Sequence, residues 1–310
     1  MKIKTTPLIS VVIPTYNHAD FLRVALGSVV KQTYRNLEII IVDNNSIDHT
    51  IRVVDSFNDN RISLLKIDNN GVIAASRNLG VDHAKGEWVA YLDSDDHWYP
   101  SRLQSLVDSM QDDLNYDVIS TDEYKNNSLT GKKTKLIYGP LKGQKYKSLL
   151  LYGNRMSPSA SLVRKDFLIK NEVRFNESLD FVTVEDFDYW LQLALLDAKF
   201  KFIHSIEGEY LVHGGNSSGY LELHRCNELN LLKHHVFNVQ KFQSNKEALW
   251  IDMQVIVSLR GAFHQLKLGR SLFFIKVLFA SLFTSPYFVC KWVMHKLRFL
   301  FDNMFALYKT

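Results

Sequence analysis

The sequence predicts an α/β protein with a mostly parallel sheet, helices on both faces and a helical C-terminal extension. Short β-branched runs alternate with amphipathic stretches through the first 125 residues, polar clusters follow the ends of three of those runs, and only helical patterns remain from Leu221 onward. With 310 residues, 46% hydrophobic and 23% charged, the chain can bury a sizeable core, which excludes disordered, collagen-like and low-complexity classes. The boundary is set at residue 220: an α/β body over 1–220 and a basic helical segment over 221–310.

In chain order, residues 8–13 form an apolar run ended by Pro14, and residues 21–30 follow at helical spacing. Residues 37–42 predict a strand, 50–57 a helix, 62–67 a strand, and 72–84 a helix preceded by Asn69-Asn70-Gly71. A fourth strand is expected at 88–92. The next helix, 99–110, carries Pro100 in its first turn, where a missing N–H costs nothing, and a fifth strand follows at 116–120. Residues 124–155 hold eight Lys/Arg and no acid, and read either as a solvated loop or as a surface for an anionic acceptor or lipid headgroups. Beyond it lie a strand at 159–163, a helix at 186–196 and a strand at 209–212.

Net charge is +4, unevenly spread: residues 251–310 carry +6, leaving −2 for the rest. A basic, aromatic tail suggests an anionic membrane surface, touched peripherally, since its longest uncharged stretch, 277–290, is too short to span a bilayer. Lys291, His295, Arg298 and Asp302 form one polar stripe. Phe288, Val289, Trp292, Val293, Leu297, Leu300 and Phe301 fill the remaining circumference, so residues 288–302 read as an interfacial helix or as one packed on the body or a partner. Cys226 and Cys290 fit lone thiols in a reducing, cytoplasmic setting, and Pro7 and Pro14 argue against a signal peptide. Nothing points to nucleic acid, and oligomeric state is not legible.

Ligands of open α/β sheets sit beyond the carboxyl ends of the strands, where this chain places Pro14-Thr15-Tyr16-Asn17, Asp43-Asn44-Asn45-Ser46 and Asp93-Ser94-Asp95-Asp96. No G-x-G-x-x-G follows the first strand and there is no P-loop pattern. In extended backbone Asp93 and Asp95 point the same way and suit one manganese or magnesium ion that also meets a diphosphate. An acidic turn capping the next helix is the alternative, and Asp96 reads as supporting or capping. Glu185-Asp186 opens an amphipathic helix, where an acid is either an N-cap or a general base. His213 enters a Gly-rich loop, Gly214 to Ser218, as a candidate third metal ligand, and Arg77 is a candidate phosphate contact.

Together these residues resemble the family 2 glycosyltransferases of the GT-A fold, over roughly residues 8–218. The resemblance implies that Pro14, Tyr16 and Asp43 surround the nucleotide base, the aromatic ring stacking on it, and that Asn17, Asn45, Arg77, Asp93, Ser94 and Glu185 also bind the nucleotide sugar. It also implies that Arg77 lies near the diphosphate, that Asp93, Ser94 and Asp95 form the metal motif with His213, and that Glu185-Asp186 is the base motif, with Asp186 as base. The implied activity is an inverting, metal-dependent hexosyl transfer from a nucleotide-diphosphate sugar to a glycan or lipid-linked acceptor. Bacterial surface polysaccharide, capsule or lipopolysaccharide synthesis is its setting, in the cytoplasm or peripheral on the inner face of the membrane. Many relatives carry Asp-Asp-Gly-Ser where this chain has Asp43-Asn44-Asn45-Ser46, which leaves the base open: uridine is usual, thymidine or guanosine the alternatives. A non-catalytic nucleotide-sugar or glycan-binding module is the main rival. A nucleotidyltransferase would need a basic Gly-rich loop after the first strand, and a retaining mechanism would differ in the product anomer.

Overall fold

The computed structural model describes residues 6–110, 115–141, 143–214, 221–267 and 269–307, without the side chains of Leu221, Lys267, Lys296 and those beyond Leu297. The expected loop residues Gly215 to Ser218, Lys309, and the side chains of Arg298, Leu300, Phe301 and Asp302 lie outside the described residues.

The first half alternates as expected: β1 (Ile9–Thr15), α1 (Ala19–Val30), β2 (Leu37–Asp43), α2 (Thr50–Ser56), β3 (Ile62–Lys66), α3 (Ile73–His83) and β4 (Trp88–Tyr91). A two-residue strand β5 (His97–Trp98) leads into α4 (Arg102–Met110), then β6 (Val118–Asn127), β7 (Lys133–Leu136), α5 (Lys145–Tyr152), β8 (Ser161–Arg164) and α6 (Lys165–Lys170). The chain continues through α7 (Glu185–Leu195), β9 (Phe200–Val212), α8 (Leu221–His234), α9 (Lys246–Lys267), α10 (Ser271–Thr284) and α11 (Pro286–Leu307).

The strands form one mixed sheet in the order β3-β2-β1-β4-β8-β6-β9-β5, with β7 paired to the outer part of β6. The expected parallel sheet is its N-terminal half, where β1 pairs in parallel with β2 and β4, and β2 with β3. In the other half β8 runs antiparallel to both β4 and β6, and β6 pairs in parallel with β9. The basic stretch 124–155 is not a plain loop: it holds the end of β6, β7 and α5.

Period-two alternation builds a core on each face. Val12, Ile40, Val42, Val89 and Tyr91 face α3, α5 and α7, while Val11, Ile13, Ile39, Ile41 and Ala90 face α1, α2 and α4. At Gly80 an added Cβ would lie 2.3 Å from Val12 Cγ1, so glycine lets α3 settle on β1. The C-terminal helices join the first of these cores through Leu231, Leu232, Met253, Ile256, Phe288 and Trp292. Phe288, Val289 and Trp292 thus turn α11's apolar side onto the body, and His295 of the expected polar stripe stacks on Tyr152, ring centroids 3.5 Å apart. Among the described residues no single helix is long and apolar enough to cross a membrane. Only α10 with residues 286–295 passes on length and composition, and that pair bends by 119°.

Candidate active site

A cleft of about 1150 Å³ runs across the carboxyl ends of β1, β2 and β4 and reaches the C-terminal helices. Its volume exceeds that of a usual single-ligand pocket, leaving space for two substrates. One end is lined by Pro14, Thr15, Tyr16, Asn44, Asn69 and Ser76, the middle by Arg77, Asp93, Asp95, Glu185 and Asp186, and the far end by residues of α8, α9 and α10.

Arg77, on α3, joins the two acidic motifs. Nη2 donates to Asp93 Oδ1 and Nη1 to Glu185 Oε1, both at 2.7 Å, with the guanidinium side chain only 3% exposed. The sequence offered this arginine as a phosphate contact. Its nearly buried guanidinium sits in the middle of the cleft lining, with each Nη paired to one carboxylate. Burial opposes its charged form, but the two carboxylates outweigh that and raise its pKa.

Asp93 to Asp96 form a turn after β4, closed by the Asp96 N–H donating to Asp93 O at 3.0 Å. The extended backbone expected there is absent, so the i and i+2 carboxylates part company: Asp93 meets Arg77, and Asp95 meets His213 Nε2 at 2.9 Å. His213 arrives on the end of β9, its ring stacked on Phe21 with centroids 4.5 Å apart. Two contacts fix that strand end: Asp96 Oδ1 accepts the Leu211 N–H, and β5 pairs with β9 at Gly208, where an added Cβ would meet His97 O at 2.8 Å. Ser94 is buried and its hydroxyl meets His18 Nδ1 at 3.0 Å. Burial and the neighbouring Asp93 charge raise the Asp95 pKa, and the His213 contact offsets part of the rise. Two carboxylates and an imidazole are donors that suit magnesium or manganese, and a divalent cation would relieve the excess negative charge around Asp95. Among the described residues no three His, Cys, Asp or Glu side chains converge as a closed cage. A cation here would need diphosphate and water oxygens to complete its shell.

Glu185 and Asp186 begin α7. Burial pushes Glu185 up to about 7, against the pull of Arg77 and with a further push from Asp186. Asp186 faces the cleft, its carboxylate held by Asn154 Nδ2 at 2.9 Å and by the Phe187 N–H at 2.7 Å. Burial raises its pKa, with Arg77 opposing.

At the β1–β2 end of the cleft, Tyr16 is 54% exposed and Pro14 lies beside it on the wall. Three of the expected binding residues bond or bend within their own loops. Asp43 is fully buried, and its Oδ1 accepts the Ser46 hydroxyl at 2.5 Å. Asn17 and Asn45 take left-handed backbone, φ 48° and 53°, which asparagine tolerates; the Asn17 N–H donates to Ser46 Oγ and Asn17 Oδ1 accepts the Ile47 N–H. These residues knit the β1 and β2 loops together, and Asn44 and Asn69 take the wall positions, joined by the Asn69 N–H donating to Asn44 Oδ1. Sequence reasoning did not single out Asn44, Asn69, His18 or Asn154. Asn69 lay in a recognised turn signal, whereas nothing local marks Asn154.

The family model for glycosyl transferase family 2 matches residues 10–170, just over half of the chain. The chain belongs to that family. This family 2 glycosyltransferase is 28% identical over 229 residues to the Escherichia coli UDP-Glc:alpha-D-GlcNAc-diphosphoundecaprenol beta-1,3-glucosyltransferase WfaP, covering 73% of this chain and 86% of that one. Its fold matches S. aureus TarS 1-349 in complex with UDP-GlcNAc, with TM-score 0.63, 21% identity, and 94% and 85% of the two chains covered. It spans 52% of a longer TarS structure. Mannosyltransferase PcManGT from Pyrobaculum calidifontis, in complex with GDP-Man and Mn2+, matches with TM-score 0.58 and 16% identity over 90% of this chain and 75% of that one. Glu185, Asp186 and His213 lie beyond the family-matched residues, so their placement rests on the geometry above.

Proposed function

We propose that this family 2 enzyme is an inverting hexosyltransferase that moves a sugar from a UDP-sugar to a hydroxyl of a lipid-linked glycan acceptor in surface polysaccharide synthesis. The carrying observation is the Arg77 bridge, which sets the Asp93-Ser94-Asp95 turn and the Glu185-Asp186 motif on one cleft. The printed activities of WfaP and of the UDP-GlcNAc-bound TarS support the donor and acceptor classes.

The base stacks at Tyr16 beside Pro14, with Asn44 and Asn69 on the wall and Asp43, Asn17 and Asn45 holding the loops behind. A divalent cation, manganese or magnesium, held by Asp95 and His213 with Asp93 behind, would supply positive charge for the departing diphosphate. Asp186 accepts the proton of the acceptor hydroxyl as its oxygen attacks the anomeric carbon, the bond to the diphosphate oxygen breaks from the opposite face, and UDP leaves. Asn154 and the Phe187 N–H orient that carboxylate, and its raised pKa makes it a better proton acceptor than a solvated aspartate. Glu185, paired with Arg77, positions the motif from below. A UDP-sugar donor and a lipid-linked acceptor place the protein in the cytoplasm, at the inner face of the membrane.

The test is donor hydrolysis and binding against a panel of nucleotide sugars, with manganese, magnesium or chelator, for wild type and Asp186→Asn. Metal-dependent turnover of one donor is expected. The variant should lose about 10²–10⁴ in turnover while binding UDP normally. Near-normal transfer by Asp186→Asn would remove Asp186 as the base, and donor binding without turnover would favour a binding module.

A further inference from the structure

Apart from Lys276 and Ser281, α10 is apolar on both its inner and its outer face. Its inner face, Phe274, Val277, Leu278, Ser281 and Leu282, is partly or fully buried, and Val277, Leu278 and Leu282 pack on the core. Its outer face runs at i, i+3, i+4, i+7 and i+11 through Leu272, Ile275, Lys276, Phe279 and Phe283. That face is open: Leu272 is 74% exposed, Phe279 64% and Phe283 93%, and Tyr287 just past the corner is 77% exposed. Taking about 200 Å² per aromatic ring, the three rings alone expose on the order of 450 Å² of apolar surface, as large as the whole largest patch of a typical soluble monomer. A helix of this kind is stable in water only when something apolar covers its second face.

Charge says what covers it. From residue 253 to 301 the sequence has seven Lys/Arg and no Asp or Glu. Lys276 stands exposed within the apolar stripe, Arg270 is exposed at the start of α10, and the exposed Lys291 lies 5.9 Å over the Tyr287 ring. Asp252, on α9, is engaged by the Ser285 hydroxyl at 2.5 Å. Aromatic and aliphatic side chains interleaved with cations match the acyl-headgroup boundary of an anionic bilayer. The same helix borders the catalytic cleft, because Phe273 and Val277 line its far end.

We propose that the outer face of α10 docks on an anionic lipid surface, so that α10 is the sill over which a lipid-linked acceptor passes from the bilayer into the cleft. The acceptor chemistry rests on the glycosyltransferase reading above; the docking does not. Of the two readings of residues 288–302, as an interfacial helix or as one packed on the body or a partner, the buried Phe288, Val289 and Trp292 fit packing on the body, and the proposal puts the lipid contact on α10 instead.

The test is co-flotation of the full chain with phosphatidylglycerol vesicles and with phosphatidylcholine vesicles, alongside calorimetric binding of UDP. Wild type should float with phosphatidylglycerol and partition at least roughly tenfold less onto phosphatidylcholine. Phe279→Glu/Phe283→Glu, at exposed positions outside the cleft, should lose flotation and keep wild-type melting and UDP binding. Lys276→Glu, which keeps the aromatics, should lose the preference for the anionic vesicles. Flotation of the double variant equal to wild type would overturn the proposal. So would equal partition of wild type onto both lipids, or a wild type that does not float and forms a dimer that the double variant breaks, which would make the face a contact between copies. Failure to bind UDP would instead sink the donor reading, because flotation is scored independently.

Discussion

Arg77→Met tests whether one buried cation holds the two acidic motifs. Methionine keeps a long apolar stem against Phe175, whose ring centroid is 5.2 Å from the guanidinium carbon, and removes both ion pairs. The pairs are charge-assisted, 2.7 Å long and nearly solvent-free, and removing one partner of such a buried set costs about 3–5 kcal/mol. Proton uptake caps the loss: Glu185 stands at about 7 with Arg77 beside it, so without the arginine its carboxyl is neutral at pH 7. At about 2–4 °C per kcal/mol for a large domain, the melting temperature falls by roughly 6–20 °C. Differential scanning calorimetry at pH 7 on Arg77→Met, Arg77→Lys and Arg77→Met/Glu185→Gln reads it. The lysine variant should fall between, since one ammonium cannot match a fork that meets two carboxylates, and the double variant should recover part of the loss because a buried carboxylate has gone. A melting temperature for Arg77→Met within about 2 °C of wild type would refute the reasoning.

Asp95→Asn should weaken UDP binding in manganese and leave binding in chelator unchanged, as read by calorimetry. Stability should fall with rising pH. The folded chain keeps a proton on Glu185 between its ordinary pKa of 4.5 and about 7, so the stabilisation present below 4.5 is lost as pH rises through 7. Urea unfolding should therefore show about 1 kcal/mol less stability at pH 8 than at pH 6 from this group, with Glu185→Gln reducing the slope. Gly80→Ala should cost about 1–3 kcal/mol by overpacking against Val12, measurable as a lower urea midpoint, and should lower turnover because Arg77 lies one helical turn away on α3.

The parallel half of the sheet was legible because strands buried on both faces are written as unbroken β-branched runs, as at Val11-Val12-Ile13 and Ile39-Ile40-Ile41. In the other half the starts of β6 and β8 and the end of β9 were legible, and the rest was not. β7 is Lys133-Thr134-Lys135-Leu136, an edge strand whose charges face solvent, so it carries no apolar signal. β5 is two residues long and exists only because β9 lies opposite. Most of β9 went unread because its thirteen residues are mostly half-buried and its pairing with β6 slips around Asp122. The acidic motifs were legible by type and order, since a carboxylate cluster after a strand is a local pattern. Their partners were not: Arg77 with Glu185 and Asn154 with Asp186 depend on how separate elements converge. Asp43 was legible as a strand-end acid, but its hydrogen bond from Ser46 was not, because that bond depends on how the following turn folds back.

The separation of partners along the chain also orders their arrival. Arg77 and Asp93 are 16 residues apart, Arg77 and Glu185 are 108, and Asp95 and His213 are 118. During vectorial synthesis the parallel strands β1 to β4 can fold early, leaving a guanidinium with one of its two counter-ions. That local charge imbalance persists until the segment carrying Glu185 leaves the ribosome, and the Asp95–His213 contact comes later still, when β9 inserts between β6 and β5. The contacts that join Arg77 to Glu185 and Asp95 to His213 are thus both in place only after β9 is made, so a chain that stops before it can hold the β1–β4 part of the cleft with Asp95 still lacking His213.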